Sequence, residues 1–188
     1  MHPLDPLNAG EFRLSVELLR SAGAVGDTCR FASITLLEPP KQDMLGWRAG
    51  DFVPRRSLSV YWDRRDNRTY EAVVDLNSAV VDAVTHIPGV TANFTVDEWH
   101  DCEHAMKAEP RVVQALAARG ISDLSLVVID VWTYGKALMP PEWVDRRLGW
   151  ADIWLRSSRS GKPVREPGFR PEVDRRYEFD GAVATRRG

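Results

Sequence analysis

The sequence predicts an α+β protein built as two small units, each a helix packed on an antiparallel sheet. Three observations carry this. Apolar residues recur at helical spacing near the N-terminus, and the period switches to two after Thr28. Turn-forming residues then separate a series of short alternating runs. Beyond Gly89 the succession of helix before strands begins again.

The first helix is expected over Leu4 to Ala22. Asn8 is placed to cap it, and Glu11 three residues on completes a capping box. Phe12, Val16 and Leu19, with Leu14 and Leu18 beside them, form its apolar stripe, and Gly23 and Gly26 stop it. Arg30 to Leu37 reads as a strand with Ala32, Ile34 and Leu36 on one face, ended by Pro39-Pro40. Leu58 to Trp62 is the next, and Arg64-Arg65-Asp66-Asn67 is its turn. Thr69 to Leu76 returns with Tyr70, Ala72, Val74 and Leu76 on one face. Asn77-Ser78 turns the chain again into Ala79 to His86. A lone hairpin buries too little apolar surface to be stable, so the helix must cover one sheet face.

In the second unit Thr95 and Glu98 repeat the capping box, and Trp99, Cys102 and Met106 continue the apolar face. Pro110 fits the first turn of a further short helix in which Val112, Val113 and Leu116 point inward up to Gly120. Leu124 to Trp132 is a strand, and Trp143 to Leu155 contains another. The expected organisation is a first unit over 1–90, a second over 91–158, and an arginine-rich tail over 159–188. The two halves show no obvious residue-level repeat.

Composition limits the function classes. A formal net charge of -2 gives no electrostatic reason to expect nucleic acid or an anionic membrane. The start, Met1-His2-Pro3-Leu4-Asp5-Pro6, has neither a basic nor an apolar leader region, and no run of about 18 apolar residues occurs. Cys29 and Cys102 read as two free buried thiols of a reducing compartment, with one disulfide as the alternative. The expectation is a cytoplasmic protein.

Several phrases, in order, resemble the second and third N-terminal domains of copper-containing primary-amine oxidases. His2-Pro3-Leu4-Asp5-Pro6-Leu7 is similar to the segment opening the first of these domains. The run Arg30 to Lys41 resembles its first strand and turn, and Arg68 to Leu76 its central strand. Cys102 to Val112 resembles the family's helix–proline–helix phrase. The likeness covers about residues 2 to 158. It implies two cystatin-like folds, and an intact family member that oxidises a primary amine to an aldehyde with copper and topaquinone. It also implies a homodimer formed through a large β-sandwich catalytic domain. That chemistry needs an Asn-Tyr-acid motif and a His-x-His pair. Here Asn8, Asn67, Asn77 and Asn93 are never followed by tyrosine, and no two of His2, His86, His100 and His104 are two apart. The expected function is therefore an N-terminal, non-catalytic part of such an oxidase, truncated before the catalytic domain. The alternative is a free-standing cystatin-like binding or interaction module.

No catalytic, cofactor-binding or metal-binding residue is nominated. His100 and His104 share a helix face and could bind a metal together, but no third ligand can be named. A solvated face is the better reading, with Cys102 and Glu103 between them. Trp132, Trp150 and Trp154 are expected in the core. Asp63, Asp66 and Asp75 flank turns, where aspartate bonds locally. Glu11 and Glu98 are explained as caps.

The tail has its own signature. Residues 159–188 carry Arg159, Arg165, Arg170, Arg175, Arg176, Arg186 and Arg187 with little periodicity, and they depart from the family's continuation. Codons permitted for Gly161 to Val183, read from the second base, allow Gly-Asn-Pro-Tyr-Ala-Asn-Pro-Val-Ser-Gly-Leu, followed by an apolar strand. That resembles the family phrase, so a frameshift near residues 158–161 is expected, with the tail as its product.

Overall fold

The computed structural model describes residues 2–134, 141–143 and 146–156, together with the backbone of 163–164, 177–180 and 183–185. The chain divides into two compact units, residues 1–92 and 93–188.

In unit 1, helix α1 spans Ala9–Ser21. It starts at Asn8, not at Leu4. The Asn8 Oδ1 accepts from the N–H of Gly10 and Glu11, and the Glu11 carboxylate accepts from the N–H of Asn8. The residues before it are held out of the helix by Pro3 and Pro6 and by a turn in which the His2 N–H donates to Asp5. Strands β1 (Cys29–Leu36), β2 (Arg56–Asp63), β3 (Arg68–Asp75) and β4 (Val80–His86) form an antiparallel meander in that order. A short helix, α2 (Lys41–Leu45), lies between β1 and β2; the polar run Pro40-Lys41-Gln42-Asp43 carries no periodicity that predicts it. Leu19, Val25, Tyr61, Ala72 and Val74 form the core, with Tyr70 and Leu76 packed on it. The predicted face of β3 is the face that is buried.

The core face of β2 is Ser57, Ser59 and Tyr61, while Leu58 and Val60 lie on the opposite face and are only half-buried. Small hydroxyls there pack against α1, and the Ser15 hydroxyl donates to Ser57 Oγ at 2.8 Å across the interface. Ser59 is fully buried and its Oγ has no partner. An unsatisfied buried hydroxyl costs about 1–3 kcal/mol. Ser59→Ala is therefore expected to raise the thermal melting point, by a stability gain of about 1 kcal/mol; a lower melting point would contradict this.

In unit 2, α3 (Val96–Ala108) and α4 (Pro110–Ala117) precede the sheet. Thr95 caps α3 with Glu98 in reciprocal position, and Pro110 occupies the first turn of α4. Leu124–Leu126 is a 3-10 turn rather than strand; the Asp123 carboxylate accepts from the Ser125 N–H and from its hydroxyl, which favours a turn. Strand β5 (Val127–Thr133) pairs antiparallel with β6 (Leu148–Arg156). Cys102, Met106, Val112, Leu116, Val127, Ile129 and Val131 form the core, lined by Ala151, Ile153 and Leu155.

The free edge of β6 does not stay empty. Sequence reading places residues 159–188 outside the fold, but their backbone adds β7 (Pro163–Val164), β8 (Tyr177–Asp180) and β9 (Val183–Thr185). Strand β7 pairs with Leu155 and Arg156, β8 pairs with Leu148 and Gly149, and β9 follows β8. The physical reason is the row of backbone donors and acceptors on β6, which pairing satisfies largely without regard to side chains.

Candidate functional site

In each unit the start of the first helix carries a buried ion pair. In unit 1, Arg55 lies immediately before β2 and almost fully buried. Its Nε and Nη2 donate to the two Glu11 oxygens at 2.7 and 2.9 Å. The remaining donors reach the carbonyls of Asp5 at 2.8 Å, Pro6 at 3.2 Å and Pro3 at 3.4 Å. Asn77 Oδ1 accepts from the Arg55 N–H. The Arg55 hydrogen bond holds the Glu11 carboxyl below its ordinary value against the opposing effect of burial, and Glu11 raises Arg55 in turn. The guanidinium fork thus fixes the helix start, the chain before it and the entry of β2.

Unit 2 repeats this. Arg147 lies immediately before β6, and its Nε and Nη2 donate to Glu98 Oε1 and Oε2, the latter at 2.9 Å. Nη2 also donates to the Asn93 carbonyl at 3.1 Å, and the guanidinium sits 4.7 Å from the centre of the Phe94 ring. In both units the glutamate is the capping-box residue of the helix, the arginine precedes the second strand of the sheet, and the same arginine binds a carbonyl ahead of the helix. The halves do share a residue-level repeat, contrary to the reading of the sequence. It escapes a linear reading because the partners stand 44 and 49 residues apart.

The other singled-out residues fall as follows. His100 and His104 are exposed on α3, and no group of three metal-ligating side chains is assembled among the described residues. The four histidines are thus not a donor set for copper. Cys29 and Cys102 are free thiols, one in each unit; burial raises the first and pushes the second up to about 12. Asp63 accepts from Thr28 and Arg65, Asp66 from Tyr70, and Asp75 from the N–H groups of Asn77 and Ser78.

Trp132 is a correction. It is 53% exposed, because Val127, Ile129 and Val131 take the core face of β5 and alternation sends Trp132 to the other side. There it stacks on its cross-strand partner Trp150, ring centres 6.3 Å apart. Trp150 and Trp154 are half-buried on this same outward alternation.

Residues 8–84 match the AGAO-like N2 domain family. The chain is 36% identical over 167 residues to the primary amine oxidase of Arthrobacter sp. (strain P1), a match covering 88% of this chain and 25% of the relative. The chain belongs to the copper amine oxidase family. Another family relative, the peroxisomal copper-containing diamine oxidase 1 of Nicotiana tabacum, is 30% identical, with 71% of this chain and 22% of the relative covered. The crystal structure of a copper-containing benzylamine oxidase from Hansenula polymorpha shares the fold, with a TM-score of 0.65 at 22% identity over 85% of this chain and 25% of that one. The chain spans about a quarter of the length of these copper amine oxidases, and that quarter is the N-terminal one. No helix among the described residues is long and apolar enough to cross a membrane.

Proposed function

We propose that this chain is a non-catalytic domain pair of a copper and topaquinone primary-amine oxidase, with the Arg55–Glu11 and Arg147–Glu98 pairs holding its two units in shape. The carrying observation is that the match takes in 88% of this chain but only 25% of the relative. In the intact oxidase, copper and topaquinone would convert a primary amine, oxygen and water to aldehyde, ammonia and hydrogen peroxide. The donor set described above does not fit copper, so no step of that reaction is assigned to these residues. Homodimerisation through the catalytic domain and a cytoplasmic location belong to the same proposal.

The test uses methylamine and benzylamine, substrates suggested by the names of two relatives. Purified chain is expected to release no amine-dependent peroxide above blank and to retain no equimolar copper after dialysis. Turnover with either amine would sink the proposal. The frameshift origin of residues 159–188 is part of the same reading. Downstream DNA read in the second-base frame is expected to encode Asn-Tyr and His-x-His motifs; unrelated sequence there would favour the free-standing module.

A further inference from the structure

The repeat extends from the ion pairs into the sheets. Aligning Arg147 with Arg55 sets Gly149, Ala151 and Ile153 on Ser57, Ser59 and Tyr61, the core face of β2. In both strands the two core positions nearest the arginine are small. The backbone agrees. In unit 1 the Leu37 N–H donates to the Arg56 carbonyl and the Leu76 N–H to the Arg55 carbonyl. Even-numbered residues of β2 therefore bond to β1, and odd-numbered ones to β3. In unit 2 the Tyr134 N–H donates to the Leu148 carbonyl. Even-numbered residues of β6 thus bond to β5, and odd-numbered ones turn their N–H and C=O to the other side.

In unit 1 that side holds β3 along the whole of β2. In unit 2 it holds β8 at Leu148 and Gly149 and β7 at Leu155 and Arg156. Among the described residues no strand pairs with Ala151 and Ile153 on that side. Neither tail strand matches this gap. Cross-strand partners share a face of the sheet. Continued from its own pairing, β8 would set Arg175 opposite Ala151, and β7 would set Glu166 opposite Ile153. Either register brings a charge to the core face.

The second-base frame supplies a strand of the right pattern. Strand β3 sets Tyr70, Ala72 and Val74 opposite Tyr61, Ser59 and Ser57. From Tyr70 it reads Tyr-Glu-Ala-Val-Val-Asp-Leu-Asn-Ser. Codons permitted for Pro171 to Phe179, read from the second base, allow Leu-Lys-Leu-Ile-Val-Asp-Met-Asn-Ser. The alternation is the same, and Val-Asp and Asn-Ser coincide. Asn77, whose Oδ1 accepts from the Arg55 N–H at 2.6 Å, has its counterpart in that asparagine.

We propose that the open side of β6 is an acceptor edge whose occupant is this β3-type strand, taken up antiparallel from outside the present tail. Its two leucines and its valine then lie opposite Ile153, Ala151 and Gly149 and close the core. Main-chain bonds hold such an added strand, and alternate side chains select it. The identity of the strand rests on the frameshift reading; the edge rests on the repeat.

The probe is the synthetic peptide Leu-Lys-Leu-Ile-Val-Asp-Met-Asn-Ser, fluorescently labelled and titrated with the full 188-residue chain. Saturable binding is expected. N-methylation of the second leucine removes a donor aimed at Ala151 and is expected to weaken binding by about tenfold. N-methylation of the isoleucine, whose N–H points away from β6, leaves it unchanged. Position is read by thiol exchange. The isoleucine lies opposite Trp150 in a non-hydrogen-bonded pair, the close spacing that a disulfide spans. A peptide with cysteine in place of the isoleucine is expected to cross-link to Trp150→Cys but not to Val84→Cys, on the exposed edge of the other sheet, nor to the parent chain. Absence of binding would mean that the tail strands hold the edge, and would overturn the proposal. Equal effects of the two methylations, or a cross-link anywhere but Trp150→Cys, would overturn it too. Failure here leaves the expectation for the downstream DNA standing, because the peptide tests the edge and not the gene.

Discussion

Replacing Arg55 with leucine is expected to lower the stability of unit 1 by about 3–5 kcal/mol, the usual cost of removing one member of a buried ion pair. A domain is held by about 5–15 kcal/mol in all, so this is a large share. Leucine fills part of the volume but leaves the Glu11 charge uncompensated and the Asp5, Pro6 and Pro3 carbonyls without their donor. Glu11→Gln is expected to cost less, because an amide oxygen still accepts from the Asn8 N–H and from the arginine. Urea unfolding of the two variants measures this directly. Equal, small losses would mean the pair contributes no more than a surface salt bridge.

The same pair fixes the sign of an acid effect. Glu11 is held low in the folded chain, first by the Arg55 hydrogen bond. The unfolded state therefore binds the proton more tightly. The stabilisation is fully present above the ordinary glutamate value of about 4.3 and is lost as the pH falls through the lower folded value. Unfolding free energy measured from pH 7 downward should hold level to about pH 5 on this account and then fall. The fall should be smaller in Glu11→Gln.

Much of this fold was legible because local chemistry and tertiary packing agree. Asn8 with Glu11 and Thr95 with Glu98 announce the helix starts, and Tyr70, Ala72, Val74 and Leu76 announce the buried face of β3. Legibility failed where packing wanted something other than a large apolar residue. The core face of β2 is Ser57 and Ser59 because α1 comes close there, so the apolar alternation of Leu58 and Val60 marks the less buried side. Trp132 misled for the opposite reason, since a large aromatic on an outward position is stabilised by its cross-strand partner instead of by a core. The candidate site was half legible. The two glutamates were singled out as caps, but nothing in the sequence marks Arg55 and Arg147 out among the 25 lysines and arginines. Their one local signal is position, each standing directly before the second strand of its sheet.

Gly149→Ala is expected to be the most damaging small substitution in unit 2. Gly149 opens the pairing of β6 with β5 opposite Thr133, and the Phe94 ring occupies the space that a side chain there would need. A Cβ there would sit 2.2 Å from Phe94 Cε2, 2.9 Å from Cζ and 3.0 Å from the Trp132 carbonyl oxygen. Phe94 cannot swing away without loss, because its N–H donates to Thr133 Oγ1 at 3.0 Å and its ring carries the Arg147 guanidinium. One methyl group therefore strains the ring, the strand pair and the Arg147–Glu98 pair together. Overpacking of this kind costs about 1–3 kcal/mol, and coupling to the buried ion pair puts the expected loss at the upper end of that range. Phe94→Leu removes the clashing ring atoms, so the double variant should recover part of the stability lost by Gly149→Ala. A double-mutant cycle from thermal melts reads the coupling. If the two losses simply add, the ring is not what excludes a side chain at Gly149, and the packing account of this strand entry is wrong.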